Sequence, residues 1–191
     1  MPYLIVVSGA PASGKTTISR RLEVDLSVPL IAKDDIKEML FDHLEQHDRD
    51  WSTIEGKMAI AMMYAGAEVL LAEGYHVMIE SSFNRDYSID EIDTVCGRTG
   101  ANVIEVYCRL DHTLRQERWT ARTLSGDRHP GHLDDPAHTI SQRPVDAPLY
   151  SERAEVIDTS MSPEEYEQRY KDILALMAMT IGKEGRYETT N

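Results

Sequence analysis

No run of apolar residues approaches the about 18 needed to cross a bilayer, and no charged-then-apolar leader opens the sequence, so neither membrane insertion nor secretion is expected. Only two cysteines occur, Cys96 and Cys108, at a spacing that suits no metal site. That usage fits a protein of the reducing cytoplasm with both thiols in its core. Positive charge is scarce as well: 20 Lys and Arg stand against 33 Asp and Glu, a formal net charge of −13. A protein that grips many phosphates along a polymer shows a basic face, so long nucleic acid is not an expected partner. Lysine is missing altogether between Lys57 and Lys171, and the cations of that stretch are arginines. Arginine suits bidentate contact with phosphate or carboxylate, although Arg98, Arg153 and Arg169 read as surface charge. There are no internal repeats, no Asn-Lys-x-Asp guanine motif, and "LSGDR" (Leu124–Arg128) is not the LSGGQ of transporter ATPases.

The sequence does contain "SGAPASGKTT", Ser8 to Thr17, directly after the apolar run "YLIVV". Tyr3–Val7 reads as a short buried strand rich in branched side chains. Gly9, four residues, then Gly14-Lys15-Thr16 is the G-x-x-x-x-G-K-[ST] spacing. Glycines let the backbone wrap closely around an anion, and successive N–H groups converge on phosphate oxygens. The following helix turns its positive dipole end to the same anion. Lys15 supplies a charge for the β- and γ-phosphates, and the Thr16 hydroxyl can ligate Mg²⁺. The expected ligands are ATP and Mg²⁺, with Gly9, Ala12, Ser13, Gly14, Lys15, Thr16 and Thr17 as binding residues.

Strands and helices alternate along the rest of the chain. "VPLIA" reads as strand two and "DDIKEMLF" as the start of a helix. "STIEGKMAIAMMYAGAEVLLAEG" reads as a helix with a Ser52–Glu55 capping box, closing on Gly74. Its expected core face is Ile54, Met58, Ala61, Met62, Ala65 and Val69. "HVMIE", "NVIEVYC" and "EVIDT" are the remaining strands. "SIDEIDTVCGRTG" is a helix, "HTLRQERWTAR" is one capped by Asp111, and the last opens with Ser162-Pro163-Glu164-Glu165 and buries Tyr166, Tyr170, Ile173, Leu174, Met177 and Ile181. Five strands joined by helices predict a three-layer α/β sandwich around a five-stranded parallel sheet. Residues 1–182 form one expected domain with a lid at about 115–148, and 183–191 an expected flexible tail.

Ligands on such sheets gather at the carboxyl ends of the strands. Strand two ends in Lys33-Asp34-Asp35, where one aspartate is expected to cap the next helix and the other to face substrate. Transfer of a phosphoryl group to an alcohol uses a carboxylate to receive the hydroxyl proton. Strand three ends in Glu80-Ser81-Ser82, with Arg85 following. Glu80 can hold Mg²⁺ through water or bind substrate hydroxyls, and Arg85 can bind the acceptor or a phosphate. Arg115, Arg118 and Arg122 fall along one side of a helix at the base of the lid. The acceptor pocket is expected from Phe41–Trp51 and the lid. "HPGHLDD" (His129, His132, Asp134, Asp135) looks only superficially like a metal site.

The phosphate loop, "KDDIKEML" and the arginines before a lid resemble the P-loop kinases that phosphorylate alcohols, a group that includes polynucleotide 5′-kinases, zeta toxins and chloramphenicol phosphotransferases. The resemblance spans roughly Tyr3 to Ser160. It implies a nucleotide-kinase-like fold, Asp34 as general base, and Lys37 in contact with acceptor phosphate. "VMIESSFNR" is similar to a zeta-toxin segment, which implies that Glu80 and Arg85 hold the acceptor. Arg118 and Arg122 would be the lid arginines. The implied activity is transfer from Mg·ATP to a hydroxyl of a small molecule. A 5′-hydroxyl polynucleotide or nucleoside kinase and a regulatory NTPase are the alternatives.

Overall fold

A computed structural model describes residues 1–45, 48–126, 128–132 and 147–182. The chain runs β1 (Tyr3–Ser8), α1 (Lys15–Leu26), β2 (Leu30–Ala32), α2 (Lys33–His43), α3 (Arg49–Ala72), β3 (Val77–Glu80), α4 (Arg85–Thr99), β4 (Asn102–Arg109), α5 (His112–Ser125), a 3₁₀ turn (Pro130–His132), β5 (Glu155–Asp158) and α6 (Pro163–Gly182). The five strands pair in the order β2-β3-β1-β4-β5, all parallel. Strand β1 is therefore central, and its alternate residues feed two separate cores, as a sheet covered on both sides requires. Ile5 and Val7 join Ile18 and Leu22 of α1 and Tyr170, Ile173 and Met177 of α6. Leu4 and Val6 join Met63, Ala67 and Leu71 of α3 and Ile92 and Val95 of α4. The expected three layers are thus present. No helix among the described residues is long and apolar enough to cross a membrane.

Most helix ends follow their capping chemistry. Asp111 Oδ1 accepts from the N–H groups of Thr113 and Leu114 (2.8 and 3.2 Å). Ser162 and Glu165 form the expected reciprocal box at α6, with the Glu165 N–H donating to Ser162 Oγ and the Ser162 N–H to Glu165 Oε2. Helix α4 starts earlier than expected, because Asn84 caps it by accepting from the Asp86 N–H at 3.0 Å. Neither Asp34 nor Asp35 caps α2. The helix begins at Lys33, and both aspartates fall in its first turn, where the helix dipole favours negative charge.

Helix α3 departs furthest from expectation. It begins at Arg49, capped by Asp48, whose Oδ1 accepts from the Trp51 N–H at 2.9 Å, so Ser52 is helix interior rather than a cap. Its expected core face points outward: Ile54, Met58, Met62 and Val69 are exposed, as are Ala61 and Ala65. The buried face is Glu55, Ala59, Met63, Tyr64, Ala67 and Leu71. That column looks less hydrophobic because it includes a carboxylate and two alanines, yet small residues let the helix lie close to the sheet. Gly66 belongs to the same contact, with Ile31 Cδ1 3.2 Å from where a Cβ would stand. The adjacent methionines therefore differ sharply, Met63 being 0% and Met62 43% exposed. Met63→Ala is expected to destabilise by about 2–5 kcal/mol through cavity formation, and Met62→Ala by under about 0.5 kcal/mol. Urea unfolding of the two variants checks the rotation of α3, and the reverse order would refute it.

Candidate active site

The turn after β1 is built by close approach. Gly9 has φ +138°, and a Cβ there would stand 2.5 Å from the Cys108 carbonyl oxygen on β4. Gly14, at φ +90°, precedes the first turn of α1, with the Thr159 methyl 3.3 Å from its missing Cβ. Ala12 also adopts a left-handed φ of 65°. Ser13 is buried, and its carbonyl accepts from Thr159 Oγ1 at 2.9 Å, tying the loop to the end of β5. Lys15 Nζ donates back to the Ala10 carbonyl at 3.2 Å and lies 3.9 Å from Glu80 Oε1. Thr16 Oγ1 donates to Glu80 Oε2 at 3.2 Å. Burial at the end of β3 pushes the Glu80 carboxyl up; Lys15 and the Thr16 hydrogen bond oppose this, and Asp34 and Asp35 reinforce it.

The end of β2 faces this loop. Lys33 Nζ donates to Asp34 Oδ1 at 2.9 Å, and Arg128 Nη2 lies 3.5 Å from Asp34 Oδ2. Burial acts to raise the Asp34 carboxyl, but Lys33, His132 and Arg128 outweigh it and hold it well below the usual carboxylate range. Asp35 points elsewhere and pairs with Arg20 of α1. Lys37, one turn along α2, is 7% exposed and donates to Ser52 Oγ of α3 at 2.7 Å.

Helix α5 supplies the arginines. Arg115 is 2% exposed. Arg118 donates to Thr159 Oγ1 (3.1 Å) and to the Thr159 carbonyl (2.8 Å). Arg122 and Arg128 lie over the Trp119 ring at 5.1 and 5.6 Å. The 3₁₀ turn is seated on α2: His132 Nε2 lies 2.7 Å from Glu38 and His129 Nε2 3.1 Å from Asp42, with the Phe41 ring edge-on to His129. These histidines thus face carboxylates of α2. Asp134, Asp135, most of the expected lid after α5 and the expected tail lie outside the described residues.

One cavity of about 1130 Å³ joins these parts. Ligand pockets commonly measure about 300–1,000 Å³, and this cavity lies just above that range. Of the residues named from the sequence, Ala12, Gly14, Lys15, Thr16, Thr17, Asp34, Lys37, Glu80, Arg118 and Arg122 line its wall. Gly9 and Ser13 are buried beneath the loop and shape it without lining the cavity. Arg85 is the one expected site residue carried away: it opens α4 exposed to solvent and is absent from the wall. The wall also includes the first turns of α3 (Ser52, Thr53, Gly56, Lys57) together with Lys33 and Arg128, and no described residue of 41–51 lines it. Sequence reading missed Lys33, Arg128 and Thr159. Of these only Lys33 carried a local signal, as the residue ending strand two.

A five-stranded parallel sheet with a phosphate loop after its central strand and helices on both faces defines a P-loop nucleotide-binding fold of the kinase-like type. The chain belongs to the AAA domain family, which matches residues 4–139. The crystal structure of a "putative kinase" from Chloroflexus aurantiacus is 32% identical, with TM-score 0.83, over 93% of this chain and 97% of that one. Two more distant structures share the fold. They are the APS kinase of Mycobacterium tuberculosis, in complex with AMPPNP and APS (14% identity, TM-score 0.60, 92% and 97% covered), and a gluconokinase from Sinorhizobium meliloti (17%, 0.52, 95% of each). Among curated proteins no sequence matches.

Because burial raises the Glu80 carboxyl, its ionised form lowers the stability of the folded state, and that penalty is absent at a pH where it is protonated. Glu80→Gln is expected to raise the unfolding temperature of the nucleotide-free protein at pH 7. The gap should shrink as the pH falls and the wild-type group takes up its proton. A lower unfolding temperature for the variant at pH 7 would mean that the Lys15 contact outweighs burial.

Proposed function

We propose that the protein is a kinase that moves the γ-phosphoryl group of ATP to a hydroxyl of a small molecule, working in the cytoplasm. One observation carries the reading: the phosphate loop, an ionised Asp34 and three inward arginines of α5 share a single cavity. The name of the Chloroflexus aurantiacus relative agrees with it, as do the phosphotransferases that share the fold.

The loop N–H groups and Lys15 hold the β- and γ-phosphates. Lys15 needs only to exchange the Ala10 carbonyl for phosphate oxygen, a stronger charge-assisted partner. The acceptor lies between α2 and α3, with Asp34 beside its hydroxyl and Lys37 on a negative group further along. The acceptor oxygen attacks the γ-phosphorus, the bond from that phosphorus to the β–γ bridging oxygen breaks, and the hydroxyl proton passes to Asp34. A carboxylate held at low pKa is a weak base, which suffices because in a loose transition state the attacking oxygen gives up its proton late. Arg118 and Arg122 bear on the charge of the phosphoryl group in flight, where preorganised cations are most effective. For Arg118 this means leaving Thr159, so its present bonds hold the nucleotide end of the cavity in order until the substrate arrives. Thr16 and, through water, Glu80 offer the hard oxygen donors that Mg²⁺ prefers. The ion, arriving with the nucleotide, would neutralise phosphate charge there.

A γ-phosphate transfer screen over nucleosides, antibiotics, sugars and 5′-hydroxyl oligonucleotides, read by mass spectrometry, tests the reading. Transfer to oligonucleotides alone would replace the small-molecule acceptor, and nucleotide turnover coupled to no acceptor would favour a regulatory NTPase. Lys15→Ala is expected to lower ATP affinity or turnover at least about tenfold. With a working acceptor, Asp34→Asn should lower turnover by roughly 10²–10⁴, the usual worth of general-base catalysis, while ATP binding stays near normal. Asp35→Asn removes only a half-exposed ion pair to Arg20, worth about 0–1 kcal/mol, and should leave turnover close to wild type. Equal losses in the two variants would remove Asp34 from the role of base.

A further inference from the structure

Glu55 is 1% exposed, and neither of its carboxylate oxygens has a hydrogen-bond partner among the described residues. A carboxylate stranded in this way is costly unless a nearby charge compensates it. It stands one turn after Ser52 on α3, and Ser52 is the residue that accepts from the Lys37 ammonium. Lys37 in turn makes no ion pair among the described residues. Two opposite buried charges thus occupy the α2–α3 seam. Lys37 belongs to the cavity wall and Glu55 does not.

Four charged groups bear on Lys37. Burial, then Lys33 and Arg128, bring the Lys37 ammonium below its ordinary value, and Asp34 and Glu55 oppose that shift. Asp34 is already engaged by Lys33 and Arg128. Glu55 is the carboxylate whose oxygens have no hydrogen-bond partner among the described residues. Its place in the hydrophobic face of α3, among Ala59, Met63 and Ala67, gives it no structural partner there.

We propose that Glu55 is a positioning residue of the acceptor subsite, favouring the charged Lys37 ammonium seated on Ser52 Oγ so that it can face an anionic group of the acceptor. The acceptor's part in this rests on the kinase reading above, whereas the pairing of Glu55 with Lys37 does not. Glu55→Gln keeps the shape of the side chain and removes its charge. Raising the pH should then strip the proton from Lys37 earlier than in the wild type.

The test uses the full chain labelled with ¹³C-lysine, the Lys37 side-chain resonance being assigned from its loss in Lys37→Met. The titration midpoint of Lys37 is expected to fall in Glu55→Gln and to return toward wild type in Glu55→Asp. An unchanged midpoint overturns the proposal, whatever the protein phosphorylates. Stability gives a second reading in case Glu55→Gln alone folds poorly. Lys37→Met leaves Glu55 buried without its counter-charge, so the double variant Lys37→Met/Glu55→Gln should unfold at a higher temperature than Lys37→Met. If the second substitution lowers it further, the two residues are not coupled. Once an acceptor is known, Glu55→Gln should raise its KM about tenfold or more at alkaline pH, with kcat and ATP affinity unchanged. A loss of kcat alone would contradict the assignment. Failure to find any acceptor would count against the kinase reading and leave the titration and the stability cycle as they stand.

Discussion

The approach of Gly9 to the Cys108 carbonyl governs the rest of the site. With a backbone oxygen 2.5 Å from where a Cβ would be, the loop leaving β1 has one way to go, across the end of β4 and then back into α1. That turn places Ser13 within reach of Thr159, so the two halves of the sheet are joined above its carboxyl edge. It also brings Lys15 and Thr16 against Glu80, from the neighbouring strand on the other side. A close backbone approach on one flank is thus accompanied by polar contacts on both. The left-handed Ala12 in the same loop is a local strain tolerated at a site that needs the backbone N–H groups pointed inward.

A second group of contacts converges on α2. Its first turn carries Asp34, its outer side pairs Asp35 with Arg20, its second turn carries Lys37, and Glu38 and Asp42 receive His132 and His129. Few of these are apolar. The helix meets α1, α3 and the 3₁₀ turn through these charged and hydrogen-bonded contacts as well as through Ile36, which packs on the core beside α3, and Phe41, which packs on the 3₁₀ turn.

The difference between local and tertiary contacts explains what could be read in the sequence. The phosphate loop was legible because all its requirements are contiguous: glycines, lysine and threonine at fixed spacing after a buried strand. The Asp111 and Ser162 caps were legible for the same reason, each being a contact across two or three residues. The face of α3 was not. Two columns of that helix carry apolar residues, and the choice between them is made by the sheet and by how closely small residues let it approach. Arg85 was misplaced because its neighbour Asn84 starts α4 at that point and turns the chain outward. Arg128 and Thr159 reach the site only through tertiary contacts with α2 and α5, which no local spacing encodes. Glu55 was legible as a helix-capping residue and is instead a buried charge, since the cap belongs to Asp48.

The cavity wall gathers Lys15, Lys33, Lys37, Lys57, Arg115, Arg118, Arg122 and Arg128 against Asp34 and Glu80, in a chain whose formal net charge is −13. A small anion drifting in from a distance meets a repelling exterior, and feels the attracting interior only within a screening length of about 8–10 Å. Salt then acts in opposite directions on the two halves of an encounter. It lowers the outer barrier and quickens arrival, and it weakens the inner hold and shortens residence. Ionic strength becomes a control on how fast ligands exchange, largely separate from how tightly they are held at equilibrium.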